Sequence, residues 1–317
     1  RLDRASCAYR RGKSAPFAAT QIHRYIQQGF QFALDADIVK FFDRISHERL
    51  LSLIDNKFGK DSSATQLLRR FIKTGGIPYK DEHGKTRYYS SFHHYKPNRE
   101  LIHRNEGIPQ GGVLSGMLAN LYLHEFDCWV LNSLSKQYSL RYVRYADDFV
   151  ILLKQQDLIP LVYEEVSKKL RSIKLELHPV NQGKTRFVDI GKDSLEFVGF
   201  EFTLEHTRVK KDNILRFKKR ILEKIAKEPH YNFPENPKYR FKNFIICVIK
   251  KKITGRGETE CSACGGVIGE RVKSWMGFFM VITDVQQLRE LDKWVRKEIG
   301  KHFYKNYGLR LQKSDFH

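Results

Sequence analysis

The chain has 317 residues, 41% of them hydrophobic, and a formal net charge of +21, enough for a sizeable core and two or three domains. Such an excess of cations favours a polyanionic partner, nucleic acid before membrane, and 13% aromatic content supplies stacking surfaces for bases. Five irregularly spaced cysteines do not form a disulfide framework, no apolar run reaches membrane-spanning length, and no signal peptide is visible, so a cytoplasmic location is expected. The chain starts at Arg1 without Met, and the expectation is that its natural N-terminus lies upstream.

In chain order, residues 18–29 read as a helix, Phe30–Ile38 as a strand, Phe41–Ile54 as a turn and helix, and Ala64–Ile72 as a helix. Residues 76–106 are rich in Tyr, His, Lys and Gly, and Asp81-Glu82-His83-Gly84 has the composition of a hairpin turn. Leu118, Leu121, Phe126 and Val130 recur at helical spacing within Leu114–Leu131. At 141–153, two apolar stretches flank Tyr145-Ala146-Asp147-Asp148, which predicts strand, tight turn and strand. A helix at Leu158–Ile173, a short strand at Lys174–Leu177 and a strand pair within Leu195–Leu204 follow. Strands interspersed with helices predict an α+β fold, a sheet packed on helices and carrying the carboxylates.

The composition shifts after about residue 205. Residues 203–317 hold 26 Lys and Arg against 13 Asp and Glu, more than half of the chain's surplus. The segment includes Arg216-Phe217-Lys218-Lys219-Arg220 and Lys250-Lys251-Lys252, three prolines between 229 and 238 that predict a loop, and helical periodicity from Val285 to Ile299. It reads as a separate basic helical domain.

Adjacent carboxylates repel, and a divalent cation relieves the repulsion. Asp147-Asp148 alone could be a solvated turn. Asp37 ends the apolar strand before Phe41-Phe42, and two-metal phosphoryl transfer needs carboxylates from different strand ends converging on two cations about 3.5–4 Å apart. Asp35 and Asp43 compete with Asp37 for that role. Gly107-Ile108-Pro109-Gln110-Gly111-Gly112 is a Gly-rich turn feeding a helix, where a substrate can approach the backbone and Gln110 can hydrogen-bond a sugar or base.

Together these segments resemble the reverse transcriptases, specifically the bacterial class related to group II introns. "DIVKFFDRISHERLL", "GIPQGGVLSGMLANLYLHEFD" and "RYVRYADDFVILL" look like the successive carboxylate, Gly-rich and paired-Asp motifs. "LELHPVNQGKTRF" resembles the Lys-Thr motif and "LEFVGFEF", with Gly199 at its turn, the primer-grip hairpin. Residues 8–204 carry the resemblance; "VKSWMGFFMVITDVQQLRELDKWVRKEIGKHF" is more loosely similar to the helical thumb, or maturase domain.

The resemblance implies a right-hand polymerase: fingers and an antiparallel palm sheet over 1–204, N-terminally truncated, and a basic α-helical thumb over 205–317. It implies an RNA-directed DNA polymerase in a bacterial cytoplasm, with RNA template, DNA primer or product, and dNTPs as partners. Asp37, Asp147, Asp148 and the Ile38 carbonyl would bind two magnesium ions. Arg10, Lys13, Phe42, Gln110 and Lys184 would contact the nucleotide, with Phe42 under the sugar. Tyr145 and Gly199 would touch the primer, and Arg216, Lys218, Lys219 and Arg220 the duplex. Alternatives are an RNA-binding maturase acting on an intron RNA, or a subunit of a CRISPR adaptation complex, with an integrase partner, or of an antiviral defence complex.

Departures from the family pattern are Arg11 and Gly116 where Pro is common, a longer loop before Lys184, and a missing first fingers motif. Cys261 and Cys264 make half a zinc site, which His230, His302 or His317 would have to complete; the ligand count favours a reduced turn.

Overall fold

The computed structural model describes residues 4–73, 77–80, 86–89, 105–255 and 274–316. They form two compact units, Arg1–Leu195 and Glu196–His317. The fold is α+β, with no helix among the described residues long and apolar enough to cross a membrane.

The N-terminal unit opens with α1 (Ala15–Gln27), whose Ser14 side chain accepts from the Phe17 amide and whose Ala15, Ala18, Ala19, Ile22 and Ile26 form a buried stripe at helical spacing. Next come β1 (Phe32–Ala36), α2 (Phe41–Arg44), α3 (His47–Phe58) and α4 (Ser63–Lys73). Strands β2 (Ile77–Lys80) and β3 (Thr86–Tyr89) pair antiparallel; the expected turn at Asp81–Gly84 lies outside the described residues. Then follow α5 (Ser115–Trp129), α6 (Ser135–Tyr138), β4 (Arg141–Tyr145), β5 (Asp148–Leu153), α7 (Leu158–Ser172) and β6 (Arg186–Asp189).

Four strands make an antiparallel sheet in the order β4-β5-β1-β6. Alternation divides its faces. Leu34, Ala36, Tyr142, Phe149, Ile151 and Leu153 pack with Leu118, Tyr122 and Phe126 of α5 and Val162, Val166 and Leu170 of α7 in one core. Each such burial contributes about 1.5–3 kcal/mol, which anchors the sheet to its helical layer. The other face receives Asp35, Tyr145 and Asp148.

One expectation needs correction here. Lys174–Leu177 is not a strand: Lys174 takes a left-handed φ of 62° as it leaves α7, and Leu177 alone makes a bridge, to Ile38. The two compact units divide at residue 195, whereas the sequence expectation placed the domain boundary at 204. Strands β7 (Leu195–Phe197), β8 (Phe200–Phe202) and β9 (Thr207–Val209) form their own sheet, and its hairpin belongs with the second unit because β8 pairs onward with β9.

The C-terminal unit continues with α8 (Lys211–Ala226), α9 (Pro237–Asn243), a π-helical segment Phe244–Lys250, α10 (Lys251–Thr254), α11 (Trp275–Phe278) and α12 (Val285–Tyr307). Phe217, Ile221 and Ile225 of α8 and Leu291, Val295, Ile299 and Phe303 of α12 share its core with Phe241 and Phe244. The Pro-rich loop is bounded by a 3-10 turn at Glu228–His230 and by Asn236, which caps α9.

Candidate active site

The β1–β5 register runs to Ala36↔Phe149, so Asp37 and Asp148 are the next residues on two adjacent strands. Directly opposed residues share a face, which puts their carboxylates on the face of the sheet opposite the α5 and α7 layer. Asp147 occupies the two-residue turn between Tyr145 and Asp148, which are themselves paired. The first turn residue, Ala146, has φ 62°, the left-handed region that favours glycine. The strand, tight turn and strand expected at 141–153 are present, with Asp147 in the turn and Asp148 opening β5.

Beyond β1, Val39 N donates to Glu176 O and His178 N to Asp37 O, each at 2.9 Å. These bonds straddle the Ile38–Leu177 bridge, so Ile38 is its non-hydrogen-bonded partner and its own carbonyl points to the opposite edge, towards the paired-Asp turn. Lys184, despite the loop before it, stands 3.4 Å from Asp37 Oδ2, and its Nζ is 3.2 Å from His178 Nε2. His178 Nε2 lies 3.7 Å from Asp37 Oδ2. Nothing in the sequence reading had singled out His178. Asp35 is spoken for by Arg186, at 2.8 Å.

Burial is the first cause that raises the Asp148 carboxyl to about 7, followed by the charges of Asp147, Asp37 and Asp35. Asp147 is raised for the same first reason, with Asp37 contributing. This is an oxygen-only donor set carrying unrelieved negative charge, which suits a hard cation such as magnesium. Among the described residues no group of three His, Cys, Asp or Glu side chains is placed to hold a metal ion, and Lys184 offsets part of the Asp37 charge. The donors therefore fit an ion that takes a few carboxylates and completes its shell with a backbone carbonyl, water and substrate phosphate.

The Gly-rich loop is bonded to the turn that bears Phe42. Ile108 N donates to Phe42 O at 2.8 Å, Gly107 N to Ile45 O at 2.8 Å, and Gln110 Nε2 to Asp43 Oδ1 at 3.5 Å. His47 Nε2 contacts Gly107 O at 2.6 Å. Phe42 is half-buried at the edge of the core, its ring edge-on to Phe41. Phe42 and Gln110 are thus brought together, with Asp43 serving the loop.

In the preceding segment, Arg10 Nη1 donates to Ser6 O at 2.8 Å and Lys13 Nζ lies 3.4 Å from the Phe17 ring centroid. Tyr9, at φ 55°, is exposed and lies against α5. A Cβ on Gly116 would run into its ring, which explains why glycine suits a position where the family often has proline. Tyr9 also contributes, after burial, to the raised Tyr145 phenol.

Sequence reading missed a buried network below the turn. Arg144 is fully buried, and its Nε and Nη2 bind Asp127 Oδ1 and Oδ2 at 2.7 and 2.6 Å. Tyr142 donates to the same carboxylate at 2.8 Å. Burial opposes the Arg144 charge, but Asp127 outweighs it and holds the guanidinium protonated above its ordinary value. The only available signal was polar residues at core positions of α5.

In the C-terminal unit, Gly199 follows Val198 in the hairpin turn, with φ values of 92° and 43°. Its carbonyl accepts from Asn213 Nδ2 at 3.0 Å. Arg216, Lys219 and Arg220 share the exposed face of α8, whereas Lys218 is half-buried, 5.1 Å from the Trp294 ring centroid. Helical geometry turns Lys218 away from the other three. Cys261, Cys264 and His317 lie outside the described residues. His302, offered as a zinc ligand, instead contacts the buried Glu228 at 2.8 Å.

A family model for the reverse transcriptase (RNA-dependent DNA polymerase) matches residues 1–202. The group II intron-encoded protein LtrA of Lactococcus lactis subsp. cremoris is 36% identical over 103 residues, 32% of this chain and 14% of LtrA. An uncharacterized 91 kDa protein in the cob intron of Schizosaccharomyces pombe is 24% identical over 208 residues, 63% of this chain and 23% of that protein. Protein YkfC of Escherichia coli is 26% identical over 208 residues, 56% of this chain and 48% of YkfC. The chain thus spans less than half the length of these relatives. Among solved structures, telomerase from Candida albicans with a fragment of telomeric RNA has a TM-score of 0.52 at 17% identity, covering 98% of this chain and 45% of that one. The corresponding Candida tropicalis complex gives 0.51 at 14% identity, with 92% and 53% covered. At these identities the likeness is one of fold, the right-hand polymerase.

Proposed function

Because the chain belongs to the reverse transcriptase (RNA-dependent DNA polymerase) family, we propose that it extends a primer 3′-hydroxyl with deoxynucleotides copied from RNA. The observation that carries this reading is the convergence of Asp37, Asp147 and Asp148 at the adjoining ends of β1 and the β4–β5 turn, close enough to feel one another's charge. With the Ile38 carbonyl, these residues would hold two magnesium ions. When bound, the ions supply activation of the attacking hydroxyl and charge neutralisation at the leaving pyrophosphate.

The chain's own residues do the positioning. Phe42, tied through its carbonyl to the Gly-rich loop, would sit under the sugar and exclude a 2′-hydroxyl, while Gln110 lines the nucleotide pocket. Arg10 and Lys13 would grip the triphosphate after leaving their present partners. Lys184, poised at Asp37, would pass to the pyrophosphate as charge partner or acid. Tyr145 and the Val198-Gly199 turn would meet the primer. Residues 1–195 would act as fingers and palm, and residues 196–317 as the thumb, with Arg216, Lys219 and Arg220 on duplex phosphates. The family and the absence of a spanning helix among the described residues favour a cytoplasmic setting.

Primer extension on an RNA template with magnesium tests this in the full-length protein. Asp147→Asn should lower the rate by at least about 10³-fold, and parent-like extension by that variant would overturn the assignment. The printed names of LtrA and the cob-intron protein favour a second reading, a maturase that binds intron RNA. Tight intron binding by a parent protein that extends no primer would select it.

A further inference from the structure

Arg144 uses its whole fork. Besides the two bonds to Asp127, Nη1 donates to Asn120 Oδ1 at 3.1 Å and to Ala146 O at 2.8 Å, and Nη2 donates to Ser6 Oγ at 3.1 Å. Every guanidinium N–H direction is thus engaged. Ser6 Oγ and Asn120 Nδ2 carry the network on, to Asn120 Oδ1 at 3.0 Å and to Ala8 O at 2.9 Å. The Arg144 backbone is also bridged to this segment, Cys7 N to Arg144 O at 2.8 Å and Arg144 N to Ala5 O at 3.0 Å.

Stability does not account for this arrangement. A buried ion pair generally gains little over well-packed apolar residues of the same volume. The informative bond is the one to Ala146 O. That carbonyl belongs to the peptide linking the two turn residues, and Ala146 already pays for a left-handed backbone. Rotation of this peptide would change ψ of Ala146 and φ of Asp147 and so disturb the tight turn that holds Asp147 next to Asp148. A carbonyl pinned from below blocks that rotation.

We propose that Arg144 is a positioning residue for the paired carboxylates. It locks the Ala146–Asp147 peptide, and through Ser6 and Asn120 it holds that turn in register with the segment leading to Arg10 and Lys13. This rests on the polymerase reading above for its consequence, but its metal arm can be tested without turnover.

Arg144→Lys keeps the charge and loses the fork. In the full-length protein, kcat per titrated active site should fall about 10- to 100-fold, and Mn²⁺ affinity, measured by electron paramagnetic resonance without substrate, should weaken by a similar factor. Template–primer affinity should stay within about twofold, since none of Arg216, Lys219 and Arg220, on which the duplex is predicted to rest, belongs to the network. Tyr142→Phe removes a bond to the same Asp127 carboxylate without touching Ala146; it should lower Tm while leaving both readouts near the parent. If Arg144→Lys fails to fold, Arg144→Met with Asp127→Leu removes both buried charges and should show the same losses. Parent-like Mn²⁺ affinity and kcat in a folded Arg144 variant would overturn the proposal. A parent that binds Mn²⁺ but extends no primer would sink the polymerase reading alone, leaving the Mn²⁺ comparison to decide the clamp. A parent that binds no Mn²⁺ would overturn both.

Discussion

At Asp148 burial comes first, and the negative charge of three neighbouring acids second, in holding a proton on one carboxyl. Its folded-state pKa of about 7 lies above the ordinary carboxylate value, so the folded protein holds this proton more tightly than the unfolded chain. Below about pH 4 both states are protonated and the group is neutral for stability. As pH rises to 7, the fold without divalent ions loses stability, and the loss is complete above it. Solvent reaches Asp148 and trims the size of this effect, not its sign. Asp148→Asn should therefore raise Tm in a chelator at pH 8, by on the order of 2 °C or more, and leave it unchanged near pH 4. An equal gain at both values would refute the electrostatic cause. At Phe42 the measurable quantity is sugar choice: Phe42→Val should raise ribonucleotide incorporation relative to deoxyribonucleotide with template binding unchanged. An unaltered ratio would return Phe42 to an ordinary core role. The acids were legible because each interrupts an apolar run. Arg144 was not, because its partners Asp127, Asn120 and Ser6 are 17, 24 and 138 residues away along the chain.

The β7–β8 hairpin turns on a strained residue. Val198 is β-branched yet has φ 43°, and Gly199 follows at 92°. The left-handed region costs a non-glycine residue about 1–2 kcal/mol, and Asn-Gly is the pair this two-residue turn favours. Val198→Asn should stabilise the C-terminal unit by about 1 kcal/mol, read as a higher urea midpoint at unchanged slope. Lower stability would mean that Val198 packing outweighs its backbone strain. Elements with long periodic patterns, such as α5, α7 and α12, were readable from side-chain spacing alone. Lys174–Leu177 was not, because its apolar alternation is real but a left-handed Lys174 ends the helix just before it. Pairing between β8 and β9, rather than local composition, places Phe200–Phe202 in the second compact unit.

Across the molecule, the positive surplus argues for a phosphate-bearing partner, and α8 offers a place to measure it. Replacing Arg216, Lys219 and Arg220 by Gln should flatten the plot of log affinity against log salt by up to about three units, uniformly across sequences. Lys218→Gln should change the slope little, because its ammonium lies over Trp294; equal slopes for the triple variant and the parent would remove α8 from the interface. The fold class was legible in the order of the elements and in motifs spaced along one sheet. The contacts that tune the site were not, since they depend on what each residue meets in space. Gly116 makes that point at a single atom. An added methyl there would improve helix propensity by about 1 kcal/mol and evict the Tyr9 ring. The two positions are thus a lock and its keyhole: homologues with a bulky residue at position 116 should have surrendered the ring at position 9, and a designer who grafts proline into this helix must find that ring another seat.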